Sequence, residues 1–168
     1  MSKIKLFVSD IDGTLTDSTV YYSEKGEELK QFSHRDGRGL HLLHHESKCK
    51  TMLCTSETKG INNARAAKFK GLKTLDYYAN GAWNLGKIEA VKKVCNELGI
   101  DINTEVAFIG DDTNDMELLK IVSIKACPKD AHYLLKKIEN IIILDNNGGK
   151  GAVREFIDYL FEKDLLYK

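Results

Sequence analysis

The chain has 168 residues, with 25 lysines and arginines against 25 aspartates and glutamates, so its formal charge is zero. That length suits one domain, here 1–168, with a core that needs no disulfide or metal staple. The even balance carries no global electrostatic signal for nucleic acid or an anionic membrane surface, and no stretch reaches the ~18 apolar residues of a membrane span.

In chain order, Ile4–Val8 reads as a buried strand. Val20–Tyr22 and Glu28–Phe32 flank Ser23-Glu24-Lys25-Gly26 and read as a hairpin. Leu40–His45 lies within a short helix, Thr51–Cys54 is a second strand, and a helix surrounds Ile61–Phe69. Over Leu85–Leu98, Ile88, Val91, Val94, Cys95 and Leu98 recur at helical spacing, and Gly99 ends that helix. Val106–Ile109 is a strand, a helix begins near Asp112, Ile124–Cys127 and Ile141–Leu144 are short strands, and a last helix covers about 151–161. Alternation of this kind predicts an α/β fold, a Rossmann-like three-layer sandwich around a parallel sheet. The run Leu6-Phe7-Val8 is too short for a secretory signal. Cys49, Cys54, Cys95 and Cys127 form no CxxC pair and read as reduced, structural thiols. The expectation is a cytoplasmic protein.

Ligands of such sheets sit beyond the carboxyl ends of the strands. Asp10-Ile11-Asp12-Gly13-Thr14 follows the first strand, Thr55 the second, and Gly110-Asp111-Asp112 the strand at Val106–Ile109, while Lys87 opens the helix before it. Phosphoryl transfer asks for this set. A carboxylate attacks phosphorus, and a second, two residues on, handles protons. A carboxylate-held hard cation and an ammonium oppose the charge on the transferred group. Each motif alone has a structural reading: an Asx turn, a helix N-cap, a solvated lysine. It is their occurrence together, in this order, that argues for chemistry.

These four motifs, in this order, resemble those of the haloacid dehalogenase-like hydrolases over nearly the whole chain. The resemblance implies Asp10 as nucleophile, Asp12 as general acid/base, and Thr55 and Lys87 as phosphate ligands. It implies Mg²⁺ on Asp10, the carbonyl of Asp12 and Asp111, with Asp112 and Asp115 in support. Many relatives carry a cap domain between the motifs; the spacing here leaves room only for the hairpin, a short helix and little more. The hairpin flap and the C-terminal segment are therefore candidates to close a site from a neighbouring subunit.

Phe32-Ser33-His34-Arg35-Asp36-Gly37 and Gly148-Gly149-Lys150-Gly151-Ala152-Val153-Arg154-Glu155 resemble the capless phosphatases of 3-deoxy-manno-octulosonate (Kdo) 8-phosphate. That resemblance implies a homotetramer and makes Arg35 a candidate substrate contact. Where those enzymes usually have Gly-Arg after the threonine, this chain has Ser56-Glu57, with Arg65 and Lys68 on the next helix. This is more similar to relatives acting on nonulosonate 9-phosphates, and it makes Ser56, Glu57, Arg65 and Lys68 candidate substrate contacts. His44-His45-Glu46 reads as surface rather than metal site; Tyr77, Tyr78 and Trp83 are placed to line the mouth of the pocket, with core packing the default reading. Two other classes remain in view: a phospho-accepting receiver, in which the acceptor aspartate follows the third strand instead of the first, and a non-catalytic tetramerisation module, in which the carboxylates kept here are lost.

Overall fold

The computed structural model describes residues 2–58, 60–83 and 85–168. Its main sheet is parallel throughout, in the order β5-β4-β1-β6-β7-β8. Those strands are β1 (Leu6–Ser9), β4 (Lys50–Cys54), β5 (Tyr77–Ala79), β6 (Val106–Ile109), β7 (Ile124–Cys127) and β8 (Ile142–Ile143). A separate antiparallel hairpin is built from β2 (Val20–Ser23) and β3 (Gly26–Lys30). Helices cover both faces, and among the described residues no insertion of cap-domain size interrupts the sheet.

Alternation along β1 explains the layers. Phe7 points into a core with Leu40 and Leu43 of α1 (His34–Glu46), Ala66 and Phe69 of α2 (Gly60–Gly71), and Phe156 of α6 (Ala152–Glu162). Leu6 and Val8 point to the other face, toward Val91 of α3 (Leu85–Leu98), Ile102 of the single turn α4 (Ile102–Glu105) and Leu118 of α5 (Met116–Ile121). Apolar side chains from period-2 strands and period-3.6 helices thus meet on both sides of one sheet.

The chain steps from β1 outward to β4 and β5, then crosses back to β6 on β1's other side. The strand order therefore reverses at β1, and the carboxyl ends of β4, β1 and β6 lie side by side there. Such a reversal leaves a crevice for ligand.

Some elements differ from expectation. Helix α1 extends well beyond Leu40–His45, starting at His34 behind the N-cap Ser33, whose hydroxyl accepts from Arg35 N at 3.1 Å. Its glycines dilute the apolar pattern, yet Gly39 has a packing reason: a Cβ there would lie 3.1 Å from Arg154 Cα of α6. The helix expected near Asp112 begins as a 3-10 turn, Thr113–Asp115, before α5. All four cysteines are buried and unpaired, as expected. Among the described residues no helix is long and apolar enough to cross a membrane.

Candidate active site

Three loops meet at the switch point. The first leaves β1 at Asp10, which is 3% exposed, and turns at once: Gly13 takes φ +81°. A Cβ on Gly13 would fall 1.8 Å from Asp111 Oδ2, so only glycine lets the two loops approach. The tail motif supports this turn from behind. A Cβ on Gly148 would lie 1.9 Å from Gly13 O, and Gly149 N donates to Thr14 O at 3.0 Å.

The loop after β6 brings Asp111 and Asp115. One carboxylate oxygen from each of Asp10, Asp111 and Asp115 lies within 4.8 Å of the others. Lys87, fully buried on α3, is the cation among them, 3.0 Å from Asp10 Oδ1 and 2.5 Å from Asp115 Oδ1. Asp115 Oδ2 in turn accepts from the backbone N–H of Asp111 at 3.0 Å and of Asp112 at 3.4 Å. Both oxygens of Asp115 are thus used to hold Lys87 and the loop. Among the described residues, by contrast, Asp10 Oδ1 accepts no well-aligned hydrogen bond, and the Asp111 carboxylate has only a long contact with the Thr14 hydroxyl, at 3.5 Å.

The electrostatics follow from that crowding. Burial, then the charge of Asp115, pushes the Asp10 carboxyl up to about 7, against the pull of Lys87. Burial, then Asp10 and Asp115, pushes Asp111 up to about 9. Burial opposes the charge on Lys87, but Asp10 and Asp115 outweigh it and hold its ammonium above the ordinary lysine range. One ammonium does not balance three carboxylates. Hard oxygen donors carrying an excess of negative charge fit a hard divalent cation.

Asp12 stands apart from this cluster, at the mouth. Its Oδ2 accepts from Thr55 Oγ1 at 3.1 Å and Asn62 Nδ2 at 2.8 Å, and its Oδ1 from Lys30 Nζ at 2.8 Å. Two of these three donors, Asn62 on α2 and Lys30 on the hairpin, are absent from the sequence-based set. Neither carries a motif; only the fold brings them to Asp12. Thr55 Oγ1 also accepts from Glu57 N at 3.0 Å, so it both caps the turn after β4 and fixes Asp12.

The cleft above these groups is about 390 Å³, walled by Asp10, Asp12, Thr55, Glu57 and Asp111, by Glu27 and Lys30 of the hairpin, and by Trp83. The hairpin thus covers the cleft of its own chain. Trp83 is 66% exposed at this rim, so it follows the reading that puts it at the mouth of the pocket and not the core-packing default. Tyr77 and Tyr78 are half-buried against the two cores, as expected. A larger groove of about 440 Å³ lies along α6. It lacks the carboxylate–lysine cluster, so the smaller cleft is the candidate active site.

The remaining predicted residues divide. Ser56 reaches the cleft wall, but its hydroxyl donates to Ala82 O and accepts from Asn114 Nδ2, both at 3.0 Å. Asp112 is exposed and caps the 3-10 turn, accepting from Thr113 N at 2.6 Å. Arg35 lies in the groove along α6 instead. Its neighbour explains the two tail-related motifs: buried Asp36 caps α6, accepting from Arg154 N at 2.9 Å and Gly151 N at 3.2 Å. Arg65 and Lys68 line a third hollow with Arg38 and His41. The Arg65 guanidinium sits between the rings of Phe32 and Phe69, 5.0 and 4.4 Å from their centroids. Within one chain, none of these three basic residues borders the cleft.

Comparison with known proteins places these features in context. Residues 45–157 match the family model of haloacid dehalogenase-like hydrolases. A 3-deoxy-D-manno-octulosonate 8-phosphate phosphatase from Yersinia pestis is 34% identical over 166 residues, covering 95% of this chain and 80% of that protein. The cobalt-bound structure of the corresponding Haemophilus influenzae phosphatase superposes with a TM-score of 0.84 at 28% identity, over 95% of this chain and 88% of that one. The Moraxella catarrhalis phosphatase, solved with magnesium, phosphate and Kdo, gives 0.84 at 26% identity, over 95% and 86%.

Proposed function

This chain belongs to the haloacid dehalogenase-like hydrolases and, like the relatives it matches, is a phosphatase; we propose that it removes the terminal phosphate of a 2-keto-3-deoxy sugar acid, Kdo 8-phosphate, with Mg²⁺. The observation that carries this reading is the buried group of Asp10, Asp111, Asp115 and Lys87 at the sheet's switch point. Family membership argues against the receiver reading, and the retained Asp10, Asp12 and Asp111 argue against the assembly module.

In this reading Asp10 attacks phosphorus and becomes an aspartyl phosphate. Lys87 fixes the Asp10 carboxylate and opposes the charge on the phosphoryl oxygens. Asp12, held by Thr55, Asn62 and Lys30, protonates the leaving sugar oxygen and then takes a proton from the attacking water. The carboxylates of Asp10 and Asp111 with the carbonyl of Asp12 would hold Mg²⁺. When bound, that ion supplies charge neutralisation for the carboxylates and the phosphoryl group. Asp115 acts on Lys87 and the Asp111 backbone, and Asp112 shapes the turn.

A second substrate, a nonulosonate 9-phosphate, is favoured by Glu57, which borders the cleft and stands where the Kdo-type pattern has arginine. Arg35, Arg65 and Lys68 reach substrate in this account only from a neighbouring subunit, which fits the homotetramer that the family resemblance implies. The exposed Tyr21, Tyr22 and Leu29 of the hairpin supply apolar surface for such contacts.

Phosphate release measured side by side on Kdo 8-phosphate and a nonulosonate 9-phosphate, with Mg²⁺, tests the assignment. Preference for the first supports it, and preference for the second moves specificity to Glu57, Arg65 and Lys68. Cleavage of a generic aryl phosphate alone would remove both substrates.

A further inference from the structure

Trp83 is the one tryptophan of the chain, and its ring stands exposed at the rim of the cleft, outside the reaction above. A lone exposed apolar side chain is ordinary on a protein surface, but the backbone here is held on both sides of the ring. Ala82 N donates to Thr55 O at 3.1 Å and the Ser56 hydroxyl donates to Ala82 O at 3.0 Å, so the residue before Trp83 is tied to the turn after β4. Trp83 O accepts from Gly86 N at 2.7 Å in the first turn of α3, the helix that carries Lys87. The indole is thus anchored to the two segments that bear the expected phosphate ligands, Thr55 and Lys87. Tyr22 of the hairpin, also exposed, borders the same cleft, so two aromatic rings stand at the rim of a cleft whose floor is charged.

We propose that Trp83 is a specificity residue, whose indole face packs on the C–H face of the leaving sugar ring once the phosphate is seated beside Asp10. The direction follows from the cleft. The phosphate belongs among the buried charges, and the leaving oxygen meets Asp12 at the mouth, so the body of the alcohol emerges at the rim where Trp83 stands. An aromatic face is electron-rich and attracts the weakly positive hydrogens of a carbohydrate's C–H bonds, while covering the ring removes apolar surface from water. A pyranose offers such a face and a two-carbon ester does not. A ring already fixed by its backbone loses little freedom on contact, so more of that energy goes to binding. Energy gained on this remote part of the substrate raises kcat/KM without touching the reacting atoms. The inference rests on the phosphomonoesterase reading above but not on the identity of the sugar acid.

The test is the ratio of kcat/KM for Kdo 8-phosphate to that for ethyl phosphate on the Mg²⁺-loaded enzyme. Trp83→Ala should lower that ratio roughly 5- to 30-fold, and Trp83→Phe, which keeps a ring face, should retain most of it. An unchanged ratio in Trp83→Ala overturns the proposal; if the oligomeric state changes instead, the ring belongs to a subunit contact. Because the readout is a ratio within one protein, a partly unfolded variant does not mimic the effect. The wild-type protein supplies a second readout, since all its tryptophan emission comes from Trp83. Acrylamide quenching of that emission should fall when Kdo and inorganic phosphate are both present at concentrations that inhibit turnover, and should not fall with phosphate alone. Quenching that ignores the sugar acid also overturns the proposal. If ethyl phosphate is cleaved and Kdo 8-phosphate is not, the sugar-acid assignment fails, and glucose 6-phosphate in its place decides this inference by the same ratio.

Discussion

Lys87 Nζ and Asp115 Oδ1 lie 2.5 Å apart with neither side chain exposed to solvent. Asp115 spends its second oxygen on the backbone of Asp111 and Asp112, so one residue anchors both the ammonium and the acidic loop. Removing one member of a buried pair leaves the other charged and unsolvated. Asp115→Ala should cost about 3–5 kcal/mol in urea unfolding and lower turnover with it. Asp115→Asn, which keeps an acceptor for Lys87, should cost less.

The opposite sign is expected at Asp10. Its carboxyl is crowded by Asp111 and Asp115 and is pushed up by burial. Asp10→Asn removes that repulsion together with the proposed nucleophile. Phosphate release should vanish, while the metal-free variant unfolds at the same or higher urea concentration than wild type. Retained activity would reject the proposed role.

Crowding also sets a pH dependence for the metal-free protein. The folded state keeps protons on Asp10 and Asp111 up to about 7 and about 9, whereas the unfolded chain loses them near the ordinary 3.8. Over that window the folded state binds more protons, so these groups make stability fall as pH rises. Thermal melts in chelator should drop between about pH 5 and about pH 8. Added Mg²⁺ should recover most of the difference at the higher pH by binding the folded state. A metal-free melting temperature that rises through this range would contradict the account.

How much of this was legible in sequence depends on locality. Asp10, Asp12, Thr55 and Asp111 each follow a strand end directly, so strand assignment alone placed them at one edge. Lys87 was legible by its place at the start of α3, although its complete burial was not. Lys30 and Asn62 carry no local signal: a hairpin lysine and a helix asparagine are ordinary surface residues until the fold sets both on Asp12. Arg65 and Lys68 illustrate the reverse. Their spacing suggested one shared helix face, and both do line one hollow, with Arg65 half-buried between aromatic rings and Lys68 exposed; what the spacing could not show is that this hollow lies apart from the cleft of their own chain. The tail glycines looked like a family mark; the structure supplies their local cause, contact with the turn that carries Asp12.

That contact makes a prediction of its own. Gly148→Ala places a methyl against Gly13 O and should cost about 1–3 kcal/mol by overpacking. It should also reduce turnover, because the turn that moves holds Asp12. Gly60→Ala, where no atom beyond the chain neighbours and the helix's own backbone lies within 4 Å of the new methyl, serves as the control and should not destabilise the protein.

The central claim is that phosphate passes through Asp10, and the most direct measurement traps it there. Turnover of Kdo 8-phosphate with Mg²⁺ is quenched in acid, the protein is reduced with borohydride, and peptides are sequenced by mass spectrometry. An acyl phosphate on Asp10 is reduced to homoserine, and the account predicts that product at position 10 only when substrate is present. Rapid turnover with Asp10 recovered unmodified, or the product at another carboxylate, would contradict it.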